Sequence, residues 1–546
     1  MPQEPVKLRI SHKPVGYVGL PAAMAVAMAF MEATGIRAEI DSACRFDPSR
    51  RNLTPGMAVK AMVAPTFNIR NKDPLYLVEK AYRTAPVERI FGRAGLTWEN
   101  LNDDALGRAL DTLAEIDVKG LFHRISELCV KRFGFESHVY HMDCTNWSFY
   151  GIAREAGDGI AVPAYTGHPK DSRRDLLHYT MQVLTDSNRI IRAMMPADGN
   201  TSDSKLDYDM LSFIKSRFSK DEISEMTVVA DSKLVTWKNV KLMLDESIGF
   251  VSRCPKSFGK KAQQRVKDLV RSKGLWKGEG TEVTDVDLDC RFGKTTVNLR
   301  FIAVRREDNV GAEMTRMRER FESVRSKYAP LEKGCATEYG GAVASFESVK
   351  CSIPEYITVT PEIFPVFSSD LVKTPATNWG VRANVEFDEE LAKRMAEDEG
   401  TFVLVTNLPR SDKDADNARD GVTAEGVRRL YDEEYVVEHS FRFMKSGLGI
   451  DSVYLQTPER ENAMMFVLSV AALVCNISDE LFRRRGMELD GRPLTMHALA
   501  YELQGSIVTL SEGTLSVMQP DSVSHDLFHY TDVLGINPQL LLGCRN

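Results

Sequence analysis

Val139-Tyr140-His141-Met142-Asp143-Cys144-Thr145-Asn146 is the stretch that decides the fold. Val139, His141, Asp143 and Thr145 fall on one side of an alternating segment, and Tyr140, Met142 and Cys144 on the other. That period of two is the mark of a β-strand. A carboxylate inside such a strand is costly unless it is paired or bound to a cation, so Asp143 is the first candidate functional residue. Working towards the C-terminus, residues 181–185 and 189–195 flank Asp186-Ser187-Asn188, a hairpin turn. A helix follows over about 206–218. Residues 226–230 form a short apolar run ending at Asp231, as a buried strand does. Residues 237–246 read as helix and 249–253 as a further strand. Adjacent strands followed by strands alternating with helices imply an α/β domain, a mixed sheet flanked by helices.

The rest of the chain differs in character. Residues 1–135 read mainly as helix, over 21–34, 101–113 and 116–133. Another helix opens at Thr54-Pro55-Gly56, with Thr54 as N-cap and Pro55 in the first turn. Residues 256–408 read as an α+β segment, with strands near 281–288, 294–304, 356–359 and 400–408 around a charged helix at 312–328. A polar loop at 411–421 leads into a long helix over 423–446. The tail, 458–546, reads as helical.

At 546 residues the chain is long enough for about three domains. With 43% apolar and 27% charged residues, collagenous, coiled-coil and wholly disordered classes are excluded. A net charge of −7 does not point to a generic polyanion binder, so any nucleic-acid surface must be a local patch. Nine cysteines without a Cys-x-x-Cys pair argue against a zinc ribbon or a disulfide framework, and for the reduced thiols of a cytosol. Residues 17–31, preceded by Lys7, Arg9 and Lys13, copy the order of a signal peptide. Gly19 and Pro21 interrupt them, and Pro21 suits the first turn of an amphipathic helix. The apolar run 463–475 is shorter than the roughly 20 residues of a membrane span and reads as a core helix, so no membrane association is expected.

One local patch is present. Nine lysines and arginines between Arg253 and Lys277 face a single acid, Asp268. Lys260, Lys261 and Arg265 are its candidate DNA contacts, and Trp276 and Phe258 could stack on splayed bases. The alternative is an exposed basic helix with no partner. His123 reads as a structural histidine rather than a metal ligand.

Three acids stand in unusual settings: Asp143 in its strand, Asp231 at the end of a buried strand, and Glu438 beside Val436 and Val437. Converging carboxylates repel and raise each other's pKa. Divalent cations reverse that, and Mg²⁺ prefers oxygen ligands. Such a site can activate water and stabilise the leaving oxygen of a phosphodiester. On the last helix Tyr431, Glu438 and Lys445 are spaced by seven residues, about 700° of rotation, and so share one stripe, with Arg442 roughly 40° away. A solvated charged helix is the alternative.

These residues lie within ordered motifs: Asp143-Cys144-Thr145-Asn146, Gly167-His168-Pro169-Lys170-Asp171-Ser172-Arg173-Arg174-Asp175, Gly199-Asn200-Thr201-Ser202-Asp203, Val228-Val229-Ala230-Asp231 and Tyr431-x₆-Glu438-x₆-Lys445. In this order they resemble an insertion-sequence DDE transposase. The leading segment Leu101-Asn102-Asp103-Asp104…Gly107-Arg108-Ala109-Leu110-Asp111 resembles the first domain of one subgroup. The resemblance implies a ribonuclease-H-like catalytic core in two parts, 136–255 and 409–457, interrupted by a β-rich insertion domain at 256–408. A helical DNA-end-binding domain at 1–135 would precede the core, and a helical region at 458–546 would follow it. It implies that Asp143, Asp231 and Glu438 are the catalytic residues and hold two Mg²⁺ ions, with Mn²⁺ as substitute. Lys170, Arg173, Tyr431, Arg442 and Lys445 would contact DNA phosphates. The partners would be terminal inverted repeats and target DNA, bound by a homodimer in a prokaryotic, nucleoid-associated cytoplasmic setting. The signature has Arg four residues before the glutamate, where this chain has Glu434, which weakens the phosphate contact expected there. Because helices fit the major groove, the 1–135 region, with Arg45, Arg50, Arg51 and Lys60, is the expected reader of sequence. Two alternatives remain: an idle DNA-binding repressor derived from a transposase, and a nuclease without strand transfer.

Overall fold

The computed structural model describes residues 7–11, 19–47, 49, 52–68, 78–149, 177–259, 261–276, 280–366, 378–433, 457–511, 514–520 and 522–543. In chain order the principal elements begin with β1 (Lys7–Ser11), β2 (Gly19–Pro21), α1 (Ala22–Ala33), α2 (Ile36–Ala43), α3 (Pro55–Val63), α4 (Asp103–Ala114) and α5 (Val118–Phe133). Then come β3 (Val139–Phe149), β4 (Leu177–Asp186), β5 (Ile191–Asp198), α6 (Asp203–Arg217), β6 (Thr227–Ala230), α7 (Trp237–Asp245) and β7 (Gly249–Arg253). After these lie α8 (Ala262–Ser272), β8 (Thr281–Phe292), β9 (Thr295–Arg306), α9 (Glu307–Tyr328), β10 (Cys335–Ala336), β11 (Ile357–Val366), β12 (Asn378–Phe387), α10 (Glu389–Gly400) and β13 (Thr401–Thr406). The chain closes with α11 (Ala424–Asp432), α12 (Pro458–Arg484), β14 (Ile507–Ser511) and β15 (Thr514–Met518). It divides into two compact units. The first holds Met1–Val251, Asp414–Gly421 and Leu430–Asn546, and the second Ser252–Lys413 and Val422–Arg429.

In the first unit, β5-β4-β3-β6-β7 is the strand order. β3, β4 and β5 form an antiparallel meander, and β6 returns parallel to β3. Three meandering strands followed by two strands on the far side of the first is the ribonuclease-H-like arrangement, as expected. The β4–β5 turn is fixed by Asp186, whose carboxylate accepts from the amides of Asn188 and Ile190 at 2.9 and 3.0 Å.

The N-terminal segment and the tail share one core with the meander's edge. α1 is not the amphipathic helix expected from Pro21. Ala22 to Met31 are all buried, as a helix apolar around its whole circumference must be. α12 starts at the Thr457 N-cap, with Pro458 in its first turn and Arg483 and Arg484 in its last. It is long and apolar enough to cross a membrane, but 89% of its apolar window is buried within the protein, which makes it a core helix. The tail is less helical than its sequence suggests. β14 and β15 form a hairpin that pairs with β1 on one side and β2 on the other, so the two ends of the chain complete one four-stranded sheet.

The leading motif 101–111 explains how α4 receives α12. Asn102 caps α4 by accepting from Ala105 N at 3.0 Å. Asp111 grips Arg460 of α12 through two bonds of 2.6 and 2.8 Å. Gly107 gives the Arg460 guanidinium room, because a β-carbon there would stand 3.0 Å from it and make it shift.

In the second unit, β13-β9-β8 is an antiparallel sheet and β10-β12-β11 another. A small core of Met317, Val324, Tyr328, Tyr356, Ile357, Ala392 and Ala396 joins α9, α10 and the second sheet. The α+β reading of this stretch is therefore the right one.

Candidate active site

The parallel pairing of β3 with β6 runs from Val139 opposite Thr227 to Met142 opposite Ala230. The next residue on each strand is Asp143 and Asp231. Neighbouring strands lie about 4.8 Å apart, so these two carboxylates leave the sheet side by side. Asp231 does so at the carboxyl end of β6, where open α/β sheets bind ligands, and Asp143 does so from within β3. Both are half-buried. Asp143 Oδ1 accepts from Cys144 N at 2.7 Å, and Asp231 Oδ1 from Lys233 N at 2.8 Å, which turns the chain out of β6. His141, two residues before Asp143 on the same side of β3, is fully buried. Burial pushes its pKa down to about 4, so it is neutral at pH 7 and offers the carboxylates no positive charge.

The turn after β5 brings a third and fourth acid towards them. Asp198 accepts from Asn200 N and from Thr201 Oγ1, each at 2.8 Å. This fixes the Gly199–Ser202 turn ahead of α6, and Asp203 and Asp207 follow one helical turn apart. The Cys144 thiol donates to Asp203 Oδ1 at 3.3 Å. Gln182, directly opposite Cys144 on β4, donates through Nε2 to Asp207 Oδ1 at 2.6 Å. Asp207 is 5% exposed. Burial raises its pKa to about 7 against the lowering effect of Gln182, and the charges of Asp231, Asp203 and Asp143 raise it further. Asp207 was not among the residues singled out from sequence. Its signal was its place on the apolar stripe of α6, in step with the buried Met210, Leu211 and Ile214.

A divalent cation fits this donor set, which is made of carboxylate oxygens, one of them, the buried Asp207 Oδ2, without a hydrogen-bond partner. Among the described residues, however, no three His, Cys, Asp or Glu side chains come together closely enough to hold a metal unaided. The set expected from the sequence takes its third member from Glu438. Glu438, Arg442, Lys445, Lys170, Arg173 and Lys260 lie outside the described residues. Tyr431 is half-buried in the last turn of α11.

The basic run is partly neutralised within the second unit. Arg271 pairs with the Asp398 carboxylate, Lys267 donates to the Asp398 carbonyl, and Lys256 lies 4.0 Å from Glu399. Lys261 and Arg265 are exposed. Arg265 makes a long bond, 3.4 Å, to the carbonyl of Asp289. Phe258 cannot stack on a base, because it is 5% exposed and packs against Phe292 with ring centroids 5.1 Å apart. Lys60 is also withdrawn from any DNA surface. It is 1% exposed, 2.6 Å from Glu32 Oε1, and donates to the carbonyl of Ile90. His123 is structural, as expected. It is buried, with Nδ1 3.1 Å from the carbonyl of Arg192 and its ring against Phe213 and Phe218.

Residues 13–127 match the "Domain of unknown function (DUF4277)" family. No curated protein matches the chain. Among solved structures, a piggyBac transposase synaptic complex with hairpin DNA is similar at 11% identity and a TM-score of 0.38, over 88% of this chain and 79% of that one. Residues 142–475, more than half of the chain and including Asp143 and Asp231, match the "Transposase DDE domain" family. The chain therefore belongs to the DDE transposases.

Proposed function

We propose that the chain binds the terminal inverted repeats of its own mobile element, cuts the DNA there, and joins the freed 3′-hydroxyl to target DNA. The observation that carries this reading is the placement of Asp231 at the end of β6 beside Asp143 in the neighbouring parallel strand β3, within a family match that spans both. Asp143, Asp231 and Glu438 would hold two Mg²⁺ ions, or Mn²⁺ in their place. When bound, these supply Lewis-acid activation of water and stabilisation of the leaving oxygen. The chain's own part is to fix the carboxylates, to which the neutral His141 adds no positive charge. Lys170, Arg173, Tyr431, Arg442 and Lys445 are the candidate phosphate contacts around the acids, and Lys260, Lys261 and Arg265 those of the second unit. Phosphate contacts position DNA and carry no base information directly, so the readers of the repeat sequence lie elsewhere. Joining two ends in one event calls for at least a homodimer on the DNA.

Incubating the full chain with DNA carrying the element's ends, a target plasmid and Mg²⁺, then sequencing the products, tests this. Products joined at the element's 3′ ends support it. Cleavage without joining would mean a nuclease, and end binding without cleavage a repressor.

A further inference from the structure

Buried polar groups in native proteins are nearly always hydrogen-bonded, and each exception calls for an explanation. Around α6 three such atoms lack a partner: Asp207 Oδ2, Gln182 Oε1 and Asn239 Oδ1. Asp207 is the costly one, because it is an acid buried where the stripe of α6 is otherwise apolar. Its orientation is fixed. Oδ1 is held by Gln182 Nε2 at 2.6 Å, and Gln182 is held in register opposite Cys144, the residue after Asp143. The carboxylates acting on it electrostatically are Asp231, Asp203 and Asp143. A residue needed only for packing would be Leu or Met here, as at Leu206 and Met210.

We infer that Asp207 is a positioning residue of the cation site. Its buried carboxylate, oriented by Gln182, adds to the negative charge that draws divalent cations to Asp143 and Asp231, and its Oδ2 accepts from the water that a cation carries. This rests on the proposed reading of Asp143 and Asp231 as metal ligands. Asp207 is not itself placed among those ligands, in keeping with the lack of a three-ligand cluster among the described residues. Outer partners of this kind are worth about 10- to 100-fold in metal affinity.

The test is Mn²⁺ binding to the full-length protein at pH 8, where Asp207 is ionised, read from the electron paramagnetic resonance signal of free Mn²⁺, with no DNA and no turnover. Wild type is compared with Asp207→Asn, Asp207→Ala, Gln182→Met and Asp143→Asn. Circular dichroism and the metal-free urea midpoint are recorded for each. Asp207→Asn and Asp207→Ala should weaken Mn²⁺ binding at least about tenfold without lowering the metal-free midpoint, since a buried like charge has been removed. Gln182→Met, which leaves the carboxylate present but unanchored, should give a smaller loss and decides the matter if neither Asp207 variant folds. Asp143→Asn should abolish binding. Wild-type affinity in the folded Asp207 variants, or in Gln182→Met where only it folds, with binding lost in Asp143→Asn, would overturn the role of Asp207 alone. Unchanged affinity in Asp143→Asn would overturn the metal site and this inference with it.

Discussion

Lys60→Met separates a cation of the core from a cation of a DNA surface. Lys60 is 1% exposed and Glu32 6%, with 2.6 Å between Nζ and Oε1. Removing one partner of a buried pair costs about 3–5 kcal/mol when the other charge is stranded. Glu32 is not stranded, because Arg37 Nε still reaches it at 2.8 Å, so the ion-pair loss falls to about 1–2 kcal/mol. The bond to the carbonyl of Ile90 adds about 1 kcal/mol. The ammonium over the Phe91 ring, 5.4 Å from its centroid, adds about 0.5–1 kcal/mol. Methionine keeps the apolar stem, so little cavity is formed. The expected cost is about 3 kcal/mol in all. Adding Glu32→Gln should recover roughly half of it, because Arg37 keeps Asp41 at 3.0 Å and the remaining buried charge is gone. Urea unfolding of the full chain measures both variants. The salt dependence of end binding should keep its slope, whereas a lost phosphate contact would lower it by about 0.9. A variant as stable as wild type with a flatter salt slope would refute the reasoning and return Lys60 to the DNA surface.

Further expectations follow from other contacts. Gly107→Ala should be nearly neutral alone, since a helix-propensity gain of about 1 kcal/mol offsets the displacement of Arg460. In an Arg460→Ala background the same change should stabilise by about 1 kcal/mol, and no such gain in urea unfolding would mean the guanidinium does not lie against Gly107. Lys261→Ala with Arg265→Ala should flatten the salt slope of DNA binding by up to about 1.8. Lys267→Ala with Arg271→Ala, whose side chains are held by Asp398, should lower stability and leave that slope alone, and the reverse pattern would contradict the pairing. Phe258→Ala should cost about 3–5 kcal/mol as a core deletion, measured by urea unfolding of the second unit's transition. An unchanged midpoint would put the ring at the surface. His141 is neutral in both states above about pH 6.5. As pH falls towards about 4, the unfolded chain takes up a proton that the folded ring refuses, so about 3 kcal/mol of stability is lost across that window. His141→Leu should remove this part of the slope, and an identical pH profile would show that the ring is not the titrating group.

The sheet that carries Asp143 and Asp231 was legible because its signals are local. Asp143 interrupts an alternating strand, Asp231 ends an apolar run, and Asp186-Ser187-Asn188 marks the turn between β4 and β5. The pairing of the chain's two ends was not legible. β1 and β2 find their partners about 500 residues away in β14 and β15, and no local period encodes that contact. The motif 101–111 was visible as a motif, but its role was not, because Gly107 and Asp111 answer to Arg460 on a distant helix. Lys60 and Phe258 show the same limit. Their residue types suit a DNA surface, and only tertiary packing shows that Glu32 and Phe292 have taken them into cores. Asp207 could have been found from an acid on an apolar helical stripe, yet its anchor, Gln182, lies on a neighbouring strand.

The central claim is that Asp143, Asp231 and Glu438 form one cation-dependent cutting and joining site. The most direct measurement is strand cleavage and 3′-end joining, quantified on labelled element ends with Mg²⁺, by Asp143→Asn, Asp231→Asn and Glu438→Gln in the full chain, with end binding followed in parallel by gel shift. Each near-isosteric change removes a coordinating charge and keeps the fold. All three should therefore bind ends as wild type does and give neither nicked nor joined product. Wild-type cleavage by any one of them would remove that residue from the site. Wild-type cleavage by both Asp143→Asn and Asp231→Asn would contradict the account itself.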